Sequence, residues 1–482
     1  MITAERMAAV DANAAALGVP RKQLMESSGN AVAAAVRDAV GDGPNPSEVA
    51  LVCGRGNNGG DAFVAARFLD DFDVAVHLLG RPETISTDVA RENWDALARS
   101  ELDARVVRDS RAFELGDPDV VVDAMLGTGV TGALREPERS AAEAVNDADA
   151  TVVAVDVPSG VDADTGEAAG VAVDADRVVT FHDAKPGLDA LDAAVTVADI
   201  GIPYAAELFA GPGDRRVLTR RADAHKGDFG EVLVVGGGPY TGAPALAAQA
   251  AMRGGADLVR VACPHTVARE VQAFEEGLIV RPFDGERFAP AHLDAVQSLA
   301  ADHDAVVFGP GLGNHEATLD AVRRFLADYD GRVVVDADAL RVVPDVDTDA
   351  TLLCTPHRGE LRAMGGPSAD DWRDRLDAVA AFASDLGHTL LVKGAYDVIS
   401  DGTESRVNRT GNPGMTVGGT GDVLAGLAGA LLSTQTPLTA GVLAAYANGR
   451  AGDRVVDRQG YGLLASDLLP ELPPALWGGD DE

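Results

Sequence analysis

Residues 414–426 read Gly-Met-Thr-Val-Gly-Gly-Thr-Gly-Asp-Val-Leu-Ala-Gly and carry the densest chemical signal in the chain. Gly418, Gly419 and Gly421 run into Asp422, and an apolar helical pattern (Val423, Leu424, Leu427) follows. Glycines leave backbone N–H groups free to converge on one point, and the helix adds the positive end of its dipole there. A carboxylate in such a loop repels a simply bound anion. It fits if Asp422 takes a proton from a hydroxyl while the loop holds the phosphoryl group that the hydroxyl attacks.

A second constellation follows the apolar run 49–54. Cys53-Gly-Arg-Gly-Asn-Asn-Gly-Gly-Asp61 places Gly54, Gly56 and Gly59 in the dinucleotide spacing. The next apolar run, 74–79, ends without the acidic residue that would hold a ribose, and Asp61 would oppose a pyrophosphate, which argues against a standard dehydrogenase. Asp123 follows Val-Val-Val and precedes Gly127-Thr128-Gly129, while Asp156 ends Thr-Val-Val-Ala-Val and leads to Ser159. Ligands of open parallel sheets bind outside the carboxyl ends of strands, so Asn57, Asn58, Asp61, Asp123, Asp156 and Ser159 are expected at one rim. An oxygen set without His or Cys suits a hard cation and not zinc.

Apolar, β-branched runs at 49–54, 74–79, 119–124, 151–156, 177–181 and 195–200 alternate with helical patterns at 60–70 and 138–147, after helical stretches at 4–16 and 28–40. The pattern restarts at 231–236, 258–262, 305–309, 332–336, 351–354 and 389–392. Continuous apolar strands separated by helices predict parallel sheets covered on both faces. The polar stretch 203–224 reads as a linker, so the expected domains are 1–212 and 213–482.

With 482 residues, the chain exceeds what one core supports. The net charge of −36 argues against nucleic-acid binding. No apolar run is long enough to span a bilayer, and the acidic N-terminus lacks a signal core, so no export is expected. Cys53, Cys263 and Cys354 are scattered within strand-like runs and read as buried hydrophobes in a reducing cytoplasm. The acids are dispersed, with one short stub at 479–482, and lysine occurs only at Lys22, Lys185, Lys226 and Lys393. Dispersed Asp with depleted Lys resembles proteins of salt-accumulating halophilic archaea.

The first half resembles the NAD(P)H-hydrate epimerase domain. The resemblance rests on Asn-Asn-Gly-Gly-Asp at 57–61, Val-Asp-Ala-Met-Leu-Gly-Thr-Gly-Val-Thr-Gly at 122–132, Val-Asp-Val-Pro-Ser-Gly-Val-Asp-Ala-Asp-Thr-Gly at 155–166 and Ala-Asp-Ile-Gly-Ile-Pro at 198–203. It implies a Rossmann-like three-layer αβα domain. It also implies substrate contacts at Asn57, Asn58, Gly59, Gly60 and Asp61, and at Gly127, Thr128, Gly129, Val130, Thr131, Gly132 and Ala133. Potassium is implied at Asn58, Asp123 and Ser159, with Asp156 acting as acid/base at the reacting hydroxyl. Ala62 departs from the family, which continues with Gly.

The second half resembles the ADP/ATP-dependent NAD(P)H-hydrate dehydratase, of ribokinase-like α/β fold. Lys-Gly-Asp-Phe-Gly at 226–230, Gly-Pro-Gly-Leu-Gly at 309–313, Thr-Pro-His-Arg-Gly-Glu at 355–360, Lys393-Gly394 and the opening segment carry this likeness. It implies substrate contacts at Ala243, Gly311, His357 and Asp422. It implies nucleotide contacts at Lys393, Gly394, Ala395, Tyr396 and Asp397 and at Gly418, Gly419 and Gly421, with Mg2+ accompanying ADP. By position alone His357 equally reads as a cap of the following helix. The combined expectation is a fused repair enzyme acting on NAD(P)HX and ADP, without nucleic-acid or membrane partners, and a homo-oligomer. The alternative is a small-alcohol (vitamin-precursor) kinase with a non-catalytic N-terminal binding module.

If the surface acids serve hydration in concentrated salt, structure and activity should decline on dialysis from multimolar KCl into dilute buffer, followed by circular dichroism and assay. Full retention in dilute buffer would sink the halophilic reading.

Overall fold

Runs of Val, Leu and Ala, buried on both faces, set the architecture. The computed structural model describes residues 1–41, 47–130 and 132–478. Thr131 and the acidic stub at 479–482 therefore lie outside the described residues. The chain divides into two compact units, Met1–Ala206 and Glu207–Glu482.

In the first unit, β1 (Glu48–Cys53), β2 (Asp73–Leu79), β3 (Asp103–Val107), β4 (Val120–Ala124), β5 (Thr151–Val155), β6 (Arg177–Phe181) and β7 (Ala194–Ala198) form one parallel sheet. Their order is β3-β2-β1-β4-β5-β6-β7. Side chains alternate between the faces, as strand geometry requires. Leu51, Val122 and Val155 pack with Phe63 and Val64 on one side. Val52, Val121 and Ala154 pack with Leu134 and Ala142 on the other. The result is the expected α/β three-layer sandwich.

The second unit contains β8 (Glu231–Val235), β9 (Leu258–Pro264), β10 (Ile279–Phe283), β11 (Ala305–Phe308), β12 (Arg332–Val335), β13 (Thr351–Cys354), β14 (Thr389–Val392), β15 (Asp397–Ser400) and β16 (Ser405–Asn408). They are ordered β10-β9-β8-β11-β12-β13-β14-β15-β16, with β15 and β16 antiparallel to their neighbours. Val234, Val307 and Leu353 face one helical layer. Val235, Phe308 and Cys354 face the other. This is the ribokinase-like α/β fold expected from sequence. Burial pushes the thiol of Cys263 up to about 11 and that of Cys354 up to about 12. All three cysteines are free and buried.

Four strands, β3, β10, β15 and β16, lie outside the runs read from sequence. β3 and β10 are half exposed, and Pro282 sits in the latter. β15 and β16 are only four residues each, too short for a period-two pattern to register.

Each sheet reverses its strand order once, between β1 and β4 and between β8 and β11. At both places main chain meets main chain with no room for a Cβ. A methyl on Gly54 would overlap the Met125 carbonyl oxygen, and one on Gly236 would overlap the Pro310 carbonyl oxygen. Gly54 N–H donates to Ala124 O at 2.9 Å, and Gly237 N–H to Pro310 O at 2.9 Å. The two crevices in which ligands of open sheets bind are thereby set at adjacent strand ends.

The stretch read as a linker is instead folded. Tyr204–Leu208 is helical and Pro212–Val217 forms a 3-10 helix. Within the second unit the Asp214 carboxylate accepts from Gly211 N–H at 2.8 Å and pairs with Arg406 at 2.9 Å. Both side chains are buried. Polarity here satisfies an internal ion pair, which composition alone reads as solvation.

The Thr420–Leu432 helix crosses the Gly242–Arg253 helix so closely that a Cβ at Gly426 would overlap the Ala247 carbonyl oxygen. Gly426→Ala should therefore destabilise the second unit by about 1–3 kcal/mol, read as a lower urea midpoint. An unchanged midpoint would show that the helices give way freely.

Candidate active sites

In the first crevice, the Asn57–Phe68 helix starts directly after Gly56. Asn57 to Asp61 thus form its first turn, and not the loop that the glycines suggest. Asn58, Gly59, Gly60 and Asp61 are buried, and Ala62 packs into the core. Asn58 Nδ2 donates to Leu126 O at 3.0 Å, and Leu126 N–H donates to Ser159 Oγ at 2.9 Å. Ser159 donates to Asp123 twice, through Oγ at 2.7 Å and N–H at 2.7 Å, and Met125 N–H adds a third bond at 3.2 Å. Asn58, Asp123 and Ser159 therefore meet around Leu126. Burial pushes the Asp123 carboxyl up to about 6 although Ser159 and Met125 oppose the shift.

This oxygen cluster combines one buried carboxylate with amide, hydroxyl and carbonyl oxygens, a donor set that suits a hard cation better than zinc. Gly127 crosses the same place, since a Cβ there would lie 3.3 Å from Asn58 Oδ1. Beyond it Val130 and Gly132 line a cleft of about 270 Å³ with Gly160, Val161 and Asp162.

Asp156 sits at the end of β5 with a left-handed φ of 66°. Val157 N–H bonds back to Val155 O at 2.9 Å, a three-residue turn that tips the side chain out of the strand direction. Asp156 Oδ1 pairs with Lys185 Nζ at 2.7 Å and accepts from Thr180 Oγ1 at 3.0 Å. Asp61 is held well above the ordinary carboxylate range by burial and by the charges of Asp156 and Asp11.

In the second crevice, Gly419 has a left-handed φ of 99° and caps the helix that begins at Thr420. Asp422 is in its first turn. Burial, reinforced by Asp336 and Glu360 and opposed by Lys393, pushes its carboxyl up to about 7. Lys393 ends β14 and pairs with Asp336 at 2.9 Å and Glu360 at 3.8 Å. Burial opposes its charge, but Asp336, Glu360 and Asp422 outweigh that and hold the ammonium above its ordinary value. A Cβ on Gly421 would lie 3.4 Å from Lys393 Nζ, so the glycine loop and the lysine address one spot.

His357 lies beside Lys393 in a parallel bridge. Its Nδ1 accepts from Gly359 N–H at 2.9 Å and Glu360 N–H at 3.1 Å, so it caps the Arg358–Ala363 helix. The ring's proton is then on Nε2, which lies 3.5 Å from Glu360 Oε1. A Cβ on Gly311 would meet that of Ala243 at 3.3 Å, and one on Gly419 would meet Leu246 at 2.8 Å. Ala243 and Gly311 thus join the rim beside a cleft of about 670 Å³ lined by Tyr240, Leu312 and Asn314. Gly394 to Asp397 form the turn from β14 to β15. Gly394 N–H and Asn408 Nδ2 donate to Asp397 at 2.8 and 2.9 Å, and Tyr396 stacks on Trp372. Asp397 is therefore spent on holding the turn, and burial pushes it up to about 6.

Three groups received no role from the sequence, although Asp336 ends a strand-like run and Glu360 lies in the 355–360 motif. Asp336 and Glu360 hold Lys393, and Lys185 holds Asp156. The available signal for Lys185 was its rarity, as one of four lysines in the chain. Nothing local in the sequence pairs it with an aspartate 29 residues away.

Residues 232–474 match the family model described as NAD(P)H-hydrate dehydratase, and residues 21–187 match the YjeF-related protein N-terminus. A bifunctional NAD(P)H-hydrate repair enzyme from Methanothermobacter thermautotrophicus is 44% identical, over 98% of this chain and 94% of its own length. Its counterpart from Pyrobaculum aerophilum is also 44% identical, over 98% of this chain and 97% of its own length. Among solved structures, an ADP/ATP-dependent NAD(P)H-hydrate dehydratase from Bacillus subtilis, co-crystallized with ATP/Mg2+, is 27% identical. It covers 56% of this chain and 97% of that one, with a TM-score of 0.49. With both family models in order and relatives matching end to end, the chain belongs to the bifunctional NAD(P)H-hydrate repair enzymes.

Proposed function

We propose that the chain restores hydrated NADH and NADPH. Residues 1–212 interconvert the R and S epimers of NAD(P)HX, and residues 213–482 dehydrate the S form with ADP. The observation that carries the second activity is Asp422, a carboxyl near neutrality in the first helical turn after Gly419 and within the field of half-buried Lys393, whose Nζ lies beside Gly421. Asp422 takes the proton of the ring hydroxyl, whose oxygen then bonds to the terminal phosphorus of ADP as AMP leaves. Gly418, Gly419, Gly421 and Lys393 steady the transferring charge. The ring carbon–oxygen bond then breaks, inorganic phosphate departs with the bonding pair, and loss of the neighbouring ring proton restores the double bond. His357 Nε2–H, Ala243 and Gly311 position the substrate, and the Lys393–Asp397 turn holds the AMP moiety. Magnesium would accompany the nucleotide phosphates and offset their charge.

In the first unit, Asp156 takes the proton of the ring hydroxyl as the adjoining carbon–nitrogen bond opens to an aldehyde, and returns it to the oxygen when the ring nitrogen re-attacks the opposite face. Asn57 to Asp61 and the loop from Gly127 to Ala133 enclose it. Asn58, Ser159 and Asp123 would hold a potassium ion, whose part is to order the substrate. A small-alcohol kinase is disfavoured because it would leave a stable phosphate ester and give the epimerase-like unit no task. We place the activity in the cytoplasm, where a reduced dinucleotide pool needs repair.

Two measurements test this reading. As base, Asp422 must be ionised, and its raised value means that form predominates only above about pH 7. Dehydratase kcat/KM should therefore fall about tenfold per pH unit below about 7, and Asp422→Ala should lose about 10²–10⁴-fold. A flat acid limb, or an active Asp422→Ala, removes Asp422 from the role. With mixed NADH hydrate epimers and ADP, reduced-nicotinamide absorbance should recover completely and phosphate should be released. Asp156→Asn should stall recovery once the S form is consumed, slowing epimerisation by about 10²–10⁴-fold. Complete recovery at the normal rate would exclude Asp156.

A further inference from the structure

Lys185 is fully buried, yet the chain has few lysines and 76 acids to spend on its surface. Its ammonium is surrounded by oxygen. Nζ donates to Thr180 Oγ1 at 2.9 Å, Phe181 O at 2.9 Å and Asp183 O at 3.3 Å, and lies 2.7 Å from Asp156 Oδ1. An ammonium has three protons, so these acceptors exhaust it. With no exposed surface it does not reach substrate, and it is not a proton donor to one. Thr180, also fully buried, accepts from Lys185 and donates to the same Asp156 oxygen at 3.0 Å. The three atoms close a triangle of 2.7, 2.9 and 3.0 Å.

Both contacts fall on Oδ1. A carboxylate gripped twice on one oxygen can rotate little about its terminal bond, and Oδ2 is left as its working oxygen. The grip also offsets the unusual backbone of Asp156, whose φ of 66° is uncommon outside glycine and needs support from its surroundings. Burial of an unpaired lysine would be costly, so the site retains the cation only with its aspartate in place.

We infer that Lys185 and Thr180 are positioning residues of the epimerase, a buried clamp that fixes Asp156 Oδ1 and presents Oδ2 to the substrate hydroxyl. This rests on the reading of Asp156 as acid/base. A clamp acting only through Asp156 makes a specific prediction: once the carboxylate is gone, removing the clamp costs nothing more.

The test uses the full chain with the R epimer as sole substrate and saturating ADP, so that NADH recovery by the second unit reports epimerisation. Lys185→Met should lower epimerisation kcat about 100-fold with KM within about threefold, the split expected of a group that serves the reaction and not binding. Dehydration of the pure S epimer should stay unaltered. Thr180→Val, a conservative change of shape, should lower kcat about tenfold. In an Asp156→Asn background, Lys185→Met should add less than about twofold, because the residues act as one unit.

Wild-type kcat in Lys185→Met, a loss confined to KM, or multiplying losses in the double variant would overturn the clamp. If Lys185→Met does not fold, Thr180→Val decides alone, and wild-type kcat there also overturns it. An active Asp156→Asn sinks the acid/base reading itself. An inactive Asp156→Asn beside a fully active Lys185→Met sinks the clamp only.

Discussion

Both reaction sites depend on backbone touching backbone at the point where a parallel sheet reverses its strand order. At Gly54 and at Gly236 a neighbouring carbonyl occupies the space that a Cβ would fill. Any side chain at either position would push the adjoining loop away from the strand end. In the first unit that loop is Met125 to Gly127, which carries the carbonyl and amide linking Asn58, Asp123 and Ser159. In the second it is Pro310 to Leu312, which brings Gly311 against Ala243. The glycines at these places are thus fixed by distance before any question of ligand arises. Loops at sheet switch points bind ligands because this contact makes them close and rigid.

The second constraint is the handling of cations in a strongly acidic chain. Solvation of the surface is left to Asp and Glu with Arg, while two of four lysines are withdrawn from it. Lys185 is wholly buried and Lys393 is only 19% exposed at its side chain. A lysine inside must be paired, and the pairing decides what the neighbouring carboxylates can do. Asp336 and Glu360 are the structural partners of Lys393. They leave Asp422 within range of the ammonium's field without a direct bond to it.

Central strands were legible because residues buried on both faces must be continuously apolar, as Val-Val-Val before Asp123 and Arg-Val-Val-Val before Asp336 show. Edge strands were not, since β3 alternates with exposed Arg105 and β10 contains Pro282. The strand-end aspartates could be foreseen from the rule that ligands gather there. The helical state of Asn57 to Asp61 could not, because two consecutive glycines favour a turn by propensity and only packing of Gly60 against Met25 and Ala90, and of Asp61 against Gly29, selects the helix. The paired partners of the site were equally hidden. Lys185 meets Asp156 because β6 lies beside β5, and Asp336 meets Lys393 because β12, β13 and β14 are neighbours. Such pairs are properties of sheet order, which composition and spacing do not encode. His357 shows the converse. Its capping role was readable from position, and the cap, by consuming Nδ1, is also what puts the ring proton on Nε2, 3.5 Å from Glu360 Oε1.

The two sites solve opposite problems with the same pair of residue types. In the first, the ammonium grips Asp156, the carboxylate proposed to react, at 2.7 Å. On that proposal orientation is gained, and the carboxylate keeps one oxygen for a reversible reaction whose two directions must both proceed. In the second, the ammonium grips a different carboxylate, Asp336, at 2.9 Å. Were Lys393 bonded to Asp422, the charge would be neutralised locally and the carboxylate would be a poor base toward an alcohol. Interposing Asp336 adds a negative charge that, with burial, keeps Asp422 near neutrality and able to accept a proton. It also keeps the lysine charged beside Gly421, where the proposed reaction puts the phosphoryl group. The dehydratase site therefore needs one more acid than its chemistry alone would suggest, and Asp336, at the end of β12, occupies that place.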